Sequence, residues 1–471
     1  MKRATRILLR VSAAIAAVVI LMVLISVDGV DHRPYFREAY YAETTARLHA
    51  STATNNLVQG PLAAGFGRAL LSPSLNASTE DPINGRFHSL PLAGYGGRRG
   101  RPATGIHDDV YLKAIAIRVE GRLGVMVGAD ALIVPSEVTE AAMQQLAREF
   151  QLSRDQLYLS ATHTHSSLGG WGKGKVAEGF AGGFQEGSRT WFASRIVAAV
   201  REAIGDLKPA RFGSGQFEAG DFIRNRLVGR LGQVDPQFSY MVLKQDEGRT
   251  AILGSYSAHA TVLSSDMMEF SADYPGYWQR AVEQATGGIA VFLAGSVGSQ
   301  SPTPPAGGFA GAERMGQALA QRLLDRLPAT ELTNAIVFGR LGLEISLPPL
   351  NTRLTDNLRL RPWIAEQLLP VRKTSFIQVF RLNNSVWIST PCDFSAELAL
   401  GIKEFLQAKG KNGVITSFNG DYIGYVIPSR YYHLNGYEPR LMSFFGPNTP
   451  DYFDELIRAM AMDLIRPPGS G

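Results

Sequence analysis

Apolar and polar positions alternate along much of this 471-residue chain in short blocks that change period from two to about 3.6 and back. "VYLKAIAIRV" (Val110 to Val119) and "RLGVMVGADALIV" read as strands, "SEVTEAAMQQLAREF" as a helix with Ser136 as its N-cap, and "QLYLSATHTH" as a further strand. The helix "TWFASRIVAAVREAI" follows, then the strands "FSYMVLKQ" and "AILGSYSAH", a helix around Trp278 to Ala285 and the strand "IAVFLAGSVG". Later come "TSFIQVFRLNNSVWISTP", the helix "SAELALGIKEFLQAKG" and a closing helix from Asp451 to Ile465. Strands alternating with helices predict a layered α/β architecture with mixed sheets and helices packed on them, its sites lying where strands end and loops begin.

The N-terminus departs from this pattern. Lys2, Arg3, Arg6 and Arg10 precede an unbroken apolar or small run from Val11 to Val27, at the short end of what crosses a hydrocarbon core. Positive charge before the run predicts a cytoplasmic N-terminus and an exported remainder, on the periplasmic or extracellular side. Small residues suited to signal-peptide cleavage are poor, with only Val27 and Gly29 as candidates, so an uncleaved anchor is favoured. The expected organisation is an anchor over 1–30, a connecting segment over 31–75 that holds the helix-like "YFREAYYAETTARLHA" and a glycine-bearing stretch, and one main domain over 76–471.

Composition narrows the chemistry. The excess of 47 Lys plus Arg over 42 Asp plus Glu is modest and partly N-terminal, and no basic stripe interleaves with aromatics, which argues against a nucleic-acid partner. The lone Cys392 excludes an internal disulfide and thiolate zinc clusters, so a metal would be held by nitrogen and oxygen.

The candidate chemistry gathers at strand ends. In an extended strand His163 and His165 would face the same side. Alone, a His-x-His pair is as readily a polar turn. "GSYSAH" places His259 after an apolar strand, "VWISTPCDFS" places Asp393 after another, and "SFNGDYIGYVIP" brings Tyr422 and Tyr425 to a third. Imidazole and carboxylate suit zinc. Spacing leaves two alternatives open for several of these: Asp393 could cap the following helix, and the tyrosines could be packing.

From about Gly94 to Gly446 the chain resembles the neutral/alkaline, non-lysosomal ceramidases, zinc amidohydrolases acting on the N-acyl bond of ceramide. "SATHTHSSLGG" is similar to that family's THTHSGPGG signature, "RNRLVGRLGQVDPQFSYMVL" to its RNR stretch followed by DPQ and a strand, and "FLAGSVGSQSPT" to its segment ending in GxxSPN. The resemblance implies a hydrolase domain with His163, His259, Asp393 and Tyr425 as zinc ligands, and with His165, Arg226, Ser301 and Tyr437 facing the scissile carbonyl. It also implies a lipid or N-acyl substrate, to which the anchor would give access at the membrane. His165 is then the expected proton carrier, and Ser301 either a direct acyl acceptor or an orienting group, the second being favoured because no Asp-His pair remains for a serine triad once the histidines hold metal.

The departures are specific. Asp393 stands where the family has glutamate, Thr303 where it has asparagine, and the family's C-terminal β-sandwich is expected to be missing after Gly471. They leave two other readings: a zinc hydrolase of another acylated periplasmic substrate, or an inactive membrane-tethered binding protein. "DMMEF" (Asp266 to Phe270) and "LMSFFGPN" (Leu441 to Asn448) are the candidate walls of an apolar groove.

Overall fold

The computed structural model describes residues 2–52, 56–369 and 371–466. Its centre is a twelve-stranded sheet. In chain order the strands of this sheet are β1 (Leu57–Leu70), β2 (Tyr111–Val119), β3 (Arg122–Ala129), β4 (Leu157–Ala161), β5 (Lys208–Glu218) and β6 (Gln237–Gln245). They continue with β7 (Thr250–Tyr256), β8 (Ile289–Ala294), β9 (Ala335–Ser346), β10 (Thr374–Leu382), β11 (Ser385–Ser389) and β12 (Asn412–Thr416). The spatial order is β8-β7-β6-β5-β1-β9-β10-β11-β12, and β2, β3 and β4 branch from β1.

The fork lies within β1. Its first residues pair with β9, Leu57 opposite Gly339, whereas Leu62 to Leu70 pair with β2. The branch therefore folds over the main sheet, and period-two alternation sorts its side chains. Ile115, Ile117, Met126 and Tyr158 point inward against Met241, Leu253, Val291, Phe380 and Trp387. Leu112, Ala114, Ala116, Val125 and Val127 point outward, under the helices Ser136–Phe150 and Glu186–Gly205. The far face of the main sheet is covered by Asp273–Thr286 and Gly308–Leu324 at one end and by Ala396–Gln407 and Thr449–Ile465 at the other. The result is helix, sheet, sheet, helix: the layered mixed α/β class expected from the alternation.

Two local expectations change. The glycine-bearing stretch read as a connection is β1 itself, and the helix before it, Ala39–Thr52, packs Leu48 into the core. The reason is close approach. A Cβ on Gly65 or Gly67 would lie 2.1 or 2.2 Å from the main-chain oxygens of Ala203 or Ala199, so the helix Glu186–Gly205 crosses this strand at a distance that only glycine permits. Ser136 is not an N-cap: Pro135 occupies that position, and the Ser136 hydroxyl donates to Glu137 at 3.1 Å.

Three neighbouring strand pairs are parallel: β3 with β4, β7 with β8, and β11 with β12. Each pair encloses one helix in sequence, Ser136–Phe150, Asp273–Thr286 or Ala396–Gln407. Parallel pairing sends the carboxyl ends of β4, β7, β8, β11 and β12 the same way within each pair. The loops after them are stitched together: Ser417 N donates to Ala294 O at 3.0 Å, and the Ser160 hydroxyl donates to Ser417 O at 2.7 Å.

The helix Lys2–Ser26 stands apart from these layers. Its segment Thr5–Ser26 has the length and composition to cross a membrane, a weak indication of an anchor or signal.

Candidate metal centre

Four of the carboxyl-terminal loops just described bring their polar side chains to one place. β4 ends at Ala161, and His163 takes a left-handed backbone with φ 63. The two histidines thus do not face one way through strand alternation. The sharp turn after the strand instead brings them together, with ring centroids 5.0 Å apart. His259, from the end of β7, has its ring 4.3 Å from that of His163 and 5.2 Å from that of His165. One nitrogen from each of the three lies within 4.8 Å of the others.

Second contacts fix each ring. His163 Nδ1 is 2.6 Å from the Leu132 carbonyl and His259 Nδ1 is 3.3 Å from the Val297 carbonyl, which assigns those nitrogens the proton and leaves Nε2 of each as a lone-pair donor. Phe418, itself at φ 69, stacks on His163 at 4.2 Å. Gly94, at φ 118, is the wall behind His165: a Cβ there would lie 2.6 Å from that side chain. The buried Arg98 guanidinium donates to the His165 carbonyl and, at 2.8 Å, to Met267 O.

Asp393 arrives from the loop after β11. It is fully buried, on a two-residue strand that pairs in parallel with Tyr425–Val426 so that Asp393 and Tyr425 are direct partners. Its Oδ1 lies 3.4 Å from His163 Nε2, and its Oδ2 accepts a hydrogen bond from the Tyr422 hydroxyl at 2.8 Å. Tyr425 also stabilises the carboxylate, and its own hydroxyl accepts from Arg226 Nη2 at 2.9 Å. Arg226 Nε is 2.8 Å from Glu438 Oε1.

Burial dominates the electrostatics. It holds the His163 pKa down at about 3, and burial with the neighbouring imidazoles and Arg226 pushes His165 and His259 well below the usual histidine range. The three rings are therefore neutral, as metal ligands must be. Burial lowers His165 although part of its side chain reaches the surface. Burial raises Asp393 to about 7, opposed by the Tyr422 hydrogen bond and by Arg226. Burial alone would lower Arg226, but Tyr425, Glu438 and Asp393 beside it raise it, so it stays cationic.

His163 Nε2, Asp393 Oδ1 and His165 Nδ1 are buried with no hydrogen-bond partner. Two bare acceptors facing each other at 3.4 Å are unfavourable, and either a proton on Asp393, whose pKa is raised to about 7, or a shared metal cation removes the conflict. Neutral imidazoles and a carboxylate are a donor set that zinc accepts, so the residues fit that ion.

Of the remaining expected residues, Tyr437 and Arg226 meet this cluster through Tyr425, and Ser301 is linked to it only through the segment beside Arg226. The Tyr437 ring meets that of Tyr425 edge-on at 5.8 Å and is itself 53% exposed. Ser301 sits on Gln300–Pro302, paired antiparallel with Ile223–Asn225, while Arg226 N donates to Ser299 O at 2.8 Å. Ser301 and Arg226 thus belong to neighbouring segments, with Ser301 partly exposed. Of the two expected groove walls, Leu441 to Asn448 supplies Phe444, which lines a cleft with Trp171, Phe180, Leu369, Val371 and Tyr422. Asp266 to Phe270 does not line this cleft; Phe270 is in the core and the Met267 carbonyl is held by Arg98. Tyr422, Phe418, Arg98 and Glu438 had no assigned role from sequence. Only Tyr422, beside Tyr425 at a strand end, carried a signal there.

Residues 77–303 match the family described as neutral/alkaline non-lysosomal ceramidase, N-terminal. A neutral ceramidase of Pseudomonas aeruginosa is 27% identical over 239 residues, which are 47% of this chain and 36% of that protein. A neutral ceramidase of Mycobacterium tuberculosis is 23% identical over 231 residues, 45% of this chain and 36% of that protein. The matched region thus spans about a third of the length of these relatives. The crystal structure of the Pseudomonas aeruginosa neutral ceramidase superposes with a TM-score of 0.70 at 19% identity, over 86% of this chain and 74% of that one. A ceramidase complexed with C2 gives 0.71 at 20% identity, over 86% and 75%. At such identities the likeness concerns the fold, and it extends well beyond residues 77–303. Asp393, Tyr425 and Tyr437 fall outside the matched family region, so their grouping rests on the geometry above.

Proposed function

We propose that the chain, whose residues 77–303 match the neutral/alkaline non-lysosomal ceramidase family, is a divergent member of it and a zinc-dependent amidohydrolase that cleaves the N-acyl bond of ceramide or a related N-acyl lipid to fatty acid and amine. The observation that carries this reading is the pair of unpartnered buried acceptors, His163 Nε2 and Asp393 Oδ1, 3.4 Å apart beside His259 and His165. His163, His259, Asp393 and Tyr425 would hold the ion. Zinc, when bound, polarises a carbonyl and acidifies water, the two things amide hydrolysis requires.

The chain's own groups do the rest. His165, partly exposed beside the cluster with its Nε2 3.2 Å from His259 Nε2, would take a proton from the attacking water and return it to the leaving amine. Arg226, kept cationic by its neighbours, and the Tyr437 hydroxyl donate to the carbonyl oxygen as charge develops there. Ser301 orients the substrate, and the apolar cleft beside Tyr422 takes an acyl or alkyl chain. The helix Lys2–Ser26 keeps the domain at a membrane on the exported side.

Elemental analysis of freshly purified protein, followed by measurement of fatty acid released from a panel of N-acyl lipids, tests this. His163→Ala is expected to lose both zinc and turnover, and Ser301→Ala to retain most of its zinc. Protein that is folded, free of zinc and unable to bind it would sink the proposal.

A further inference from the structure

The apolar helix does not hang from a free tether. Directly after it, Val27–Gly29 pairs antiparallel with Leu358–Leu360, Val27 opposite Leu360. Arg361 N donates to Ser26 O at 2.9 Å, and its guanidinium donates to Leu24 O and Val27 O, each at 3.2 Å. The point where the helix leaves the domain is therefore fixed against residues 357–361.

Around that point several large apolar side chains are exposed. Leu354, Leu358, Trp363 and Leu368 are 44–52% exposed, although each belongs to a residue type that favours burial. Residues 351–356 also lean on the segment that ends at the metal centre: Arg353 Nη2 donates to Pro439 O at 2.8 Å, and Arg440 pairs with Asp356. That segment adds Leu434 and Leu441, the latter 65% exposed, and Tyr437, whose ring touches Tyr425. Contacts thus tie the exit of the helix, with its exposed leucines and one tryptophan, to the segment that carries the rim of the candidate site. Large apolar side chains left exposed beside the exit of an apolar helix point to an interaction site.

We propose that this face, residues 354–368 and 434–441, lies in the headgroup region of the bilayer that the helix enters, so that the candidate site opens onto the membrane surface. The proposal rests on the reading of Lys2–Ser26 as an uncleaved anchor. A lipid occupant is favoured over a protein because the face is continuous with a helix of 22 apolar-rich residues, about 33 Å long at 1.5 Å per residue, enough to span the hydrocarbon. A tryptophan and a tyrosine flanked by leucines are also the side chains that settle at a membrane–water boundary.

The chain provides its own reporter. Of its five tryptophans, Trp171, Trp191, Trp278 and Trp387 are buried and Trp363 is 52% exposed. The full chain is reconstituted in phosphatidylcholine–phosphatidylglycerol vesicles with or without acyl chains brominated close to the headgroup, and emission is compared with that of Trp363→Phe. Co-flotation with the vesicles and about a twofold bromine-dependent drop in the Trp363 contribution, absent from Trp363→Phe, are expected for a ring buried ~5–10 Å into the interface. Co-flotation without bromine quenching overturns the docked face, and it does so equally if Trp363 is shielded from aqueous acrylamide, since a second copy or another protein then covers it. Failure to co-float removes the anchor and the face together. None of these readings depends on zinc or turnover, so a quenched Trp363 in a protein that releases no fatty acid would leave the face standing and remove only the substrate.

Discussion

Replacing Tyr422 by phenylalanine removes one hydroxyl and leaves a ring of almost the same shape in place. The hydroxyl donates at 2.8 Å to Oδ2 of Asp393, itself fully buried, while Oδ1 faces His163. A hydrogen bond to a buried charged group contributes about 1.5–3 kcal/mol, and about 1.4 kcal/mol is a factor of ten. If the carboxylate is a zinc ligand, Tyr422→Phe is expected to weaken zinc binding by about 10- to 100-fold, the range typical of outer partners of metal ligands. The ring's contact with Phe418, 6.3 Å between centroids, remains, so thermal melting of the metal-free protein should shift by only a few degrees. Competition for zinc against a chromophoric chelator, for wild type and variant in the same buffer, measures the effect. Tyr425→Phe serves as the companion: as a proposed ligand, its loss should cost more than that of Tyr422. A Tyr422→Phe variant that is folded and binds zinc within twofold of wild type would refute Asp393 as a ligand oriented by this tyrosine.

Other expectations follow from the same geometry. Gly94→Ala places a methyl group 2.6 Å from the His165 side chain at a backbone φ of 118, so a loss of about 1–3 kcal/mol in unfolding free energy and a drop in zinc content are expected by denaturant titration and elemental analysis. Burial raises the Asp130 pKa to about 6 from a usual value of 3.8. The native state then holds more protons than the unfolded one between about pH 4 and 6, so this group's contribution to stability is greatest below that window and is lost as pH rises through it. Asp130→Asn should remove that fall, by up to about 3 kcal/mol, in urea titrations compared at pH 4 and pH 7. Stripping zinc with a chelator is expected to lower the melting temperature of wild type but not of His163→Ala, by an amount that grows as RT ln(1 + [L]/Kd); at a hundredfold excess over Kd it is about 2.7 kcal/mol.

What the sequence could reveal about this protein was whatever depends on neighbours along the chain. Period-two and period-3.6 patterns report which face of a strand or helix is buried, and β2 to β4, β6 to β8 and the helix Ala396–Gln407 appear near where those patterns put them. His163, His259, Asp393 and Tyr425 were legible as polar residues just past apolar strands. β1 was not legible, because Gly65 and Gly67 answer to a helix more than a hundred residues away and look locally like a linker. The His-x-His pair was visible, but not the left-handed turn at His163 that aims it. Nor could alternation show that Tyr422 orients Asp393 or that Arg98 grips the loop behind His165. The convergence itself was decided by tertiary structure: parallel pairing of β3 with β4, β7 with β8 and β11 with β12 gathers loops whose residues are up to 262 positions apart (His163 to Tyr425). Sheet register is set by which faces bury together across the whole fold, a long-range constraint that no local window of sequence contains.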